Sequence, residues 1–223
     1  MSTLETIEIE TGPQPVATVI VLHGLGADGN DFVSIAQELD LEAVGPVRFV
    51  FPHAPVIPVT INNGYRMRAW YDIFTPDLVR REDDAGLRLS LASVQQLLAA
   101  ENARGIPANR IVLAGFSQGC AMSLLAGVRH SERLAGIAGL SGYLPLAATT
   151  AAERTDANAF TPIFLAHGRQ DNVVDIARGK ASRDALLALG YDVQWHEYPM
   201  AHSVCMDEIA DLNQWLLKVL APA

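Results

Sequence analysis

The stretch Gly115-Phe116-Ser117-Gln118-Gly119 constrains this chain more than any other. A short apolar run at 111–114 precedes it and a longer one at 121–128 follows. That order predicts a buried strand, a sharp turn and an amphipathic helix. A serine at the apex of such a turn has its hydroxyl exposed. Flanking glycines leave room for strand and helix to pass closely. G-x-S-x-G alone is common by chance, but between a strand and a helix it points to a nucleophile. The alternative is a glycine-rich turn with a capping serine.

The rest of the chain alternates in the same way. Residues 17–22 are a short, β-branched apolar run, as expected of a strand buried on both faces, and 47–51 are expected to form a second buried strand, stopped by Pro52. Residues 6–10 alternate weakly, as an edge strand would. Further strands are expected at 135–140, 162–166 and 193–198. Helices are expected at 31–39, 84–104, 175–189 and 203–220, the second carrying Leu87, Leu91, Val94, Leu97 and Leu98 at helical spacing. The pattern predicts an α/β fold, a mostly parallel sheet with helices on both faces. With 223 residues, half of them apolar, and no repeat or linker, a single domain over 1–223 is expected. The exception is 52–81, where four prolines and the aromatics Tyr65, Trp70, Tyr71 and Phe74 predict an ordered binding loop.

Net charge is −9, and Arg80-Arg81 is followed at once by Glu82-Asp83-Asp84. This argues against nucleic acid and against an anionic membrane surface. No basic, apolar leader opens the chain, and no apolar run approaches the roughly 20 residues that span a bilayer. With only two cysteines, Cys120 and Cys205, a cytoplasmic protein without a stable membrane anchor is expected.

A serine nucleophile needs a base, and the base needs an orienting acid. Of the histidines after Ser117, His130 lies near the end of the expected elbow helix and His196 within a strand. His167 ends a strand but precedes the expected acid loop. His202 follows the last strand, at the same end of the sheet as Ser117, and is the expected base. Asp171, on the loop after the 162–166 strand, is the expected acid; Asp175 is the competitor and suits a helix cap better. The oxyanion donors are expected to be the N–H groups of Gln118 and Leu25, the latter in His23-Gly24-Leu25-Gly26. That loop also reads Gly24-x-Gly26-x-x-Gly29, the dinucleotide fingerprint. The strand after it ends in Phe51-Pro52-His53 and offers no carboxylate for a ribose. His196-Glu197 with His202 lacks the spacing of a zinc site, so no metal is expected. Trp70, His23 and Ser141 are expected substrate contacts. Packing of the loop onto the core is an equal alternative for Trp70, and a structural role is one for Ser141.

His23-Gly24-Leu25-Gly26-Ala27-Asp28-Gly29, Phe51-Pro52-His53-Ala54-Pro55, Trp70-Tyr71-Asp72, Gly115-Phe116-Ser117-Gln118-Gly119, Leu140-Ser141-Gly142, His167-Gly168 with Asp171, and His202 fall in one order. Over about residues 5–220 the chain resembles the phospholipase/carboxylesterase family of α/β-hydrolases, which includes bacterial carboxylesterases and acyl-protein thioesterases. The resemblance implies an α/β-hydrolase fold without a large cap domain and a Ser117–Asp171–His202 triad. It also implies oxyanion donors at Leu25 and Gln118, no cofactor, a short lid-like segment around residues 55–75 within the 52–81 loop, a small-molecule ester substrate and often a homodimer. Carboxylesters of short to medium acyl chains are the expected substrates. The alternative is an acyl-protein thioesterase or lysophospholipase acting on longer chains. A hydrolase fold used only for binding is disfavoured, because all three triad candidates are present.

Overall fold

A computed structural model of the chain describes residues 4–75 and 81–221. Nine strands occur among them: β1 (Thr6–Glu10), β2 (Ala17–Leu22), β3 (Val47–Pro52), β4 (Val56–Val59), β5 (Tyr65–Arg68), β6 (Ile111–Phe116), β7 (Gly136–Leu140), β8 (Ile163–Gly168) and β9 (Val193–Tyr198). The α-helices are α1 (Val33–Glu38), α2 (Asp84–Ala103), α3 (Gln118–Gly127), α4 (Ala147–Glu153), α5 (Ile176–Ala188) and α6 (Met206–Val219). Seven strands form one sheet in the order β1-β3-β2-β6-β7-β8-β9. Only β1 runs antiparallel, pairing Thr6 with Pro52 and Glu10 with Arg48. A parallel sheet needs cover on both faces. Alternate residues of each strand meet different layers. Ile20, Leu22, Leu113 and Leu165 pack with α2, α3 and Leu186 of α5. Val19, Phe49, Phe51, Val112 and Phe164 pack with Ala36 of α1 and with Leu212, Trp215 and Leu216 of α6.

Helix α2 starts where Asp83 accepts the Gly86 N–H at 3.0 Å, and its inner face buries Leu87, Val94 and Leu98. Helix α3 departs from the amphipathic expectation: all ten of its residues are buried. It lies between the sheet and α2, whose Gln95 side chain donates to the Ala126 carbonyl at 3.1 Å. A helix covered on all sides has no polar face to keep wet.

The segment expected to be a loop at 52–81 is partly a hairpin. β4 and β5 pair antiparallel, Val56 with Arg68 and Val59 with Tyr65. Asn63 and Gly64 both have positive φ, 55° and 75°, as a tight hairpin connection requires. Residues 76–80 of that segment lie outside the described residues. In place of one helix over 31–39 the chain forms a short 3-10 turn at Gly29–Phe32 followed by α1, and α4 was not expected. No helix among the described residues is long and apolar enough to cross a membrane.

Candidate active site

The β-ladder brings the candidate residues together at the carboxyl ends of β2, β6, β8 and β9. β6 ends at Phe116, and Ser117 turns the chain into α3 with φ 56° and ψ −116°. That conformation strains a residue with a Cβ and is held by its surroundings, at a cost of order 1–3 kcal/mol. The turn is forced because strand and helix almost touch: a Cβ on Gly119 would lie 1.9 Å from the Leu22 carbonyl oxygen.

Ser117 Oγ lies 3.0 Å from His202 Nε2, and His202 Nδ1 lies 2.7 Å from Asp171 Oδ2. Because the carboxylate only accepts, Nδ1 carries the ring proton, and Nε2 is left to take the serine proton. The Asp171 side chain is fully buried. Its Oδ1 accepts the Val173 and Val174 N–H groups, both at 2.9 Å. His167, expected to end a strand, lies beside it: Nε2 donates to the Val174 carbonyl at 2.7 Å and is 3.4 Å from Asp171 Oδ2. Burial pushes the His167 pKa down, which keeps that ring neutral. The acid and histidine loops are tied by Arg169 N–H to the Tyr198 carbonyl and Gln170 N–H to the Met200 carbonyl. Gly168 makes the approach feasible, since a Cβ there would be 2.4 Å from the Met200 and Ala201 oxygens. Asp175 caps α5 instead, accepting the Ala177 N–H at 2.8 Å.

A cavity of about 280 Å³ opens beside Ser117, with Leu25 and Gln118 in the same wall. Among the described residues, neither the Leu25 nor the Gln118 N–H finds a hydrogen-bond acceptor. Ile61, Ile73, Val173 and Val174 make much of the remaining lining apolar. Tyr71 and Tyr143 add hydroxyls 2.9 Å apart, both held protonated by burial. The sequence did not single out Ile61, Ile73, Tyr143 or the two valines as site residues.

The three expected substrate contacts do not line this cavity. Trp70 is 2% exposed; its Nε1–H donates to the His23 carbonyl at 2.9 Å. His23 is equally buried, with Nε2 accepting the Ala54 N–H at 3.0 Å and Nδ1–H facing the Gly24 carbonyl at 2.7 Å. Ser141 is fully buried behind the β7 end at φ 49°, its N–H bound to the Ala166 carbonyl. All three are interior: the Trp70 indole packs against the His23 ring and binds its carbonyl, and Ser141 lies in the core between the ends of β7 and β8. Cys120, one turn into α3, is also buried; a Cβ on Gly142 would lie 2.6 Å from its sulfur. No cluster of metal-binding side chains occurs among the described residues.

Glu208, on the first turn of α6, is wholly buried and neither oxygen has a hydrogen-bond partner. Burial pushes its carboxyl up to about 8. The folded chain therefore holds this proton up to about pH 8, whereas an unfolded one releases it near 4.5. Between those values the unfolded state binds fewer protons, so stability falls as pH rises and then levels off. In Glu208→Gln that penalty is absent. Thermal melts from pH 5 to 8 should show the variant gaining steadily on the wild type; a constant gap would refute the assignment.

A strained serine between strand and helix, relayed through a histidine to a buried carboxylate at the carboxyl edge of a parallel sheet, defines a serine hydrolase of the α/β-hydrolase fold. The phospholipase/carboxylesterase family model matches residues 4–220, and the chain belongs to that family. It is 43% identical over 218 residues to acyl-protein thioesterase 1 of Gibberella zeae, covering 94% of this chain and 93% of the relative. It is 43% identical over 237 residues to acyl-protein thioesterase 1 of Mycosarcoma maydis, covering 99% of each. Acyl-protein thioesterase 2 of Zea mays has a similar structure, with a TM-score of 0.85 at 30% identity, covering 97% of this chain and 99% of that one. SOBER1 of Arabidopsis thaliana gives 0.87 at 28% identity, covering 92% and 99%.

Proposed function

We propose that this hydrolase cleaves acyl thioesters, acylated cysteines on proteins among them, through an acyl-enzyme on Ser117. The observation that carries the reading is the hydrogen-bonded series Ser117–His202–Asp171 beside an apolar cavity. His202 Nε2 takes the Ser117 proton as Oγ attacks the acyl carbonyl. Asp171 holds the imidazole in the required tautomer and stabilises the imidazolium that forms. The oxyanion is received by the Leu25 and Gln118 N–H groups. His202 then protonates the departing thiolate, and a water that it deprotonates releases the carboxylic acid. The same steps cleave an oxygen ester, so the chemistry alone does not choose between them. The thioester reading is supported by relatives 43% identical over nearly the whole chain that are acyl-protein thioesterases.

One observation favours a second reading, carboxylic esters of short to medium acyl chains. The cavity of about 280 Å³ is small beside the roughly 300–1,000 Å³ of common ligand pockets. The two readings separate by kcat/KM across an acyl-length series, run in parallel as oxygen esters and thioesters with Ser117→Ala as blank. A maximum on long-chain thioesters is expected. A maximum on short oxygen esters would replace the thioesterase reading with the carboxylesterase one.

A further inference from the structure

The oxyanion receptor proposed above is built from two separate pieces of chain, the 23–26 loop and the start of α3. The β2–β6 ladder that aligns them ends at the Leu22–Gly115 pair. Beyond it, among the described residues, no hydrogen bond joins residues 23–27 directly to 117–121. The connection runs through a third segment. Arg68 O accepts the Gly26 N–H at 2.9 Å, and Trp70 Nε1–H donates to His23 O at 2.9 Å. Both bonds grip the Leu25 loop. On the other side Trp70 N–H donates to Gln118 Oε1 at 3.0 Å, and Gln118 Nε2 donates to Tyr71 O at 2.8 Å. Both grip the first residue of α3. The segment is itself anchored from outside, by the Ser90 hydroxyl on the Trp70 carbonyl.

From this arrangement we infer that Trp70 and the Gln118 side chain are positioning residues that hold the Leu25 and Gln118 N–H groups in register for the oxyanion. The inference rests on the serine-hydrolase reading of the site. Steric contact between Gly119 and Leu22 sets how near the two pieces come, but it leaves their relative rotation open. Two hydrogen bonds to each side fix that rotation. Gln118 points the same way: a glutamine at the start of a helix ordinarily has water to solvate its amide, yet this one is 3% exposed and spends both amide atoms on residues 70 and 71. A donor displaced by a fraction of an ångström still binds the planar ground-state carbonyl, but meets the developing oxyanion poorly. The loss therefore falls on the transition state.

Trp70→Phe removes the Nε1–H and keeps an aromatic ring; Gln118→Met keeps length and removes both polar atoms. Each variant is titrated at Ser117 with a fluorophosphonate, melted, and assayed for kcat and KM on one acyl thioester. Binding of a boronic acid that forms a tetrahedral adduct on the serine is measured alongside. The expected result is a fall in kcat of about 10- to 100-fold per labelled site, with KM within about twofold. Boronate affinity should fall in parallel. The double variant should be little worse than the poorer single one, because both act on the same pair of donors. A lower melting temperature with kcat per labelled site unchanged would overturn the inference and leave the two residues as packing. Should Trp70→Phe fail to fold, Gln118→Met alone decides by the same criteria. If the wild type takes no label, the serine-hydrolase reading falls, and this inference with it. That outcome is distinct from unimpaired variants of a labelled enzyme.

Discussion

Replacing Ser117 by alanine should lower kcat/KM by about 10⁴- to 10⁶-fold, leaving only what the oxyanion donors and substrate binding contribute. The fold should survive, because alanine meets the same φ of 56° and removes one hydroxyl that faces the cavity. The companion variant, Asp171→Asn, is expected to lose about 10⁴-fold while keeping the shape of the site. The reason is directional. Asp171 Oδ2 accepts from His202 Nδ1 and Oδ1 accepts from two backbone N–H groups. An amide has one acceptor, so either the loop or the imidazole loses its partner. If the amide nitrogen turns to His202, the ring proton moves to Nε2, the atom needed to receive the serine proton. Steady-state rates on folded, purified protein, with substrate turnover normalised to total enzyme, measure both effects. An Asp171→Asn enzyme within tenfold of wild type would mean that the carboxylate is not what orients His202.

The largest stability effect is expected far from the cavity, at Glu101. Its carboxylate is 3% exposed and accepts from Thr18 Oγ1 at 2.6 Å, Arg48 at 2.9 Å and Arg104 at 2.9 Å. These partners join β2, β3 and α2. Glu101→Ala leaves the Arg48 guanidinium, itself 9% exposed, with the Glu10 carboxylate at 2.9 Å and a weaker contact to Glu8. Removing one member of a buried ion pair typically costs about 3–5 kcal/mol, and the low end, about 3 kcal/mol, is expected here because Glu10 still compensates part of the Arg48 charge. For a chain of this size that amounts to a fall in Tm on the order of 10 °C. Glu101→Leu with Arg48→Met should recover much of it, since apolar groups of similar volume leave no charge stranded. Calorimetry on the three proteins measures this, and a single variant within about 1 kcal/mol of wild type would show that the network is dispensable.

The parallel sheet was legible because strands buried on both faces are predominantly apolar, as β2, β3 and β6 are apart from Thr18 and Arg48, from which the buried Glu101 carboxylate accepts. The Ser117, Asp171 and His202 positions were legible because each lies on a loop after a recognisable strand. The hairpin was not. Pro58 interrupts the β4 run, and strand-like alternation over four residues is too short to register. The usable signal was Asn63-Gly64, a hairpin dipeptide between Val59 and Tyr65. Helix α4, Ala-Ala-Thr-Thr-Ala-Ala-Glu, has no apolar periodicity to read. Trp70 and His23 could be seen to matter without revealing how. An aromatic that lines a pocket and one that braces a loop look alike in sequence, and only the partners of the indole N–H and imidazole nitrogens distinguish them. The cavity residues Val173 and Val174 were passed over because their backbone N–H groups, not their side chains, fix Asp171.

Cys120 stands three residues from the nucleophile in an enzyme whose proposed substrates are acylated thiols. Its burial against Gly139 and Gly142 pushes the thiol pKa well above the ordinary range, so at neutral pH it carries no thiolate. In the proposed mechanism, an acyl group on Ser117 thus finds no thiolate at Cys120 to migrate to. The proposed intermediate then stays an oxygen ester until water arrives, and the cysteine beside the nucleophile does not become an acylated thiol itself.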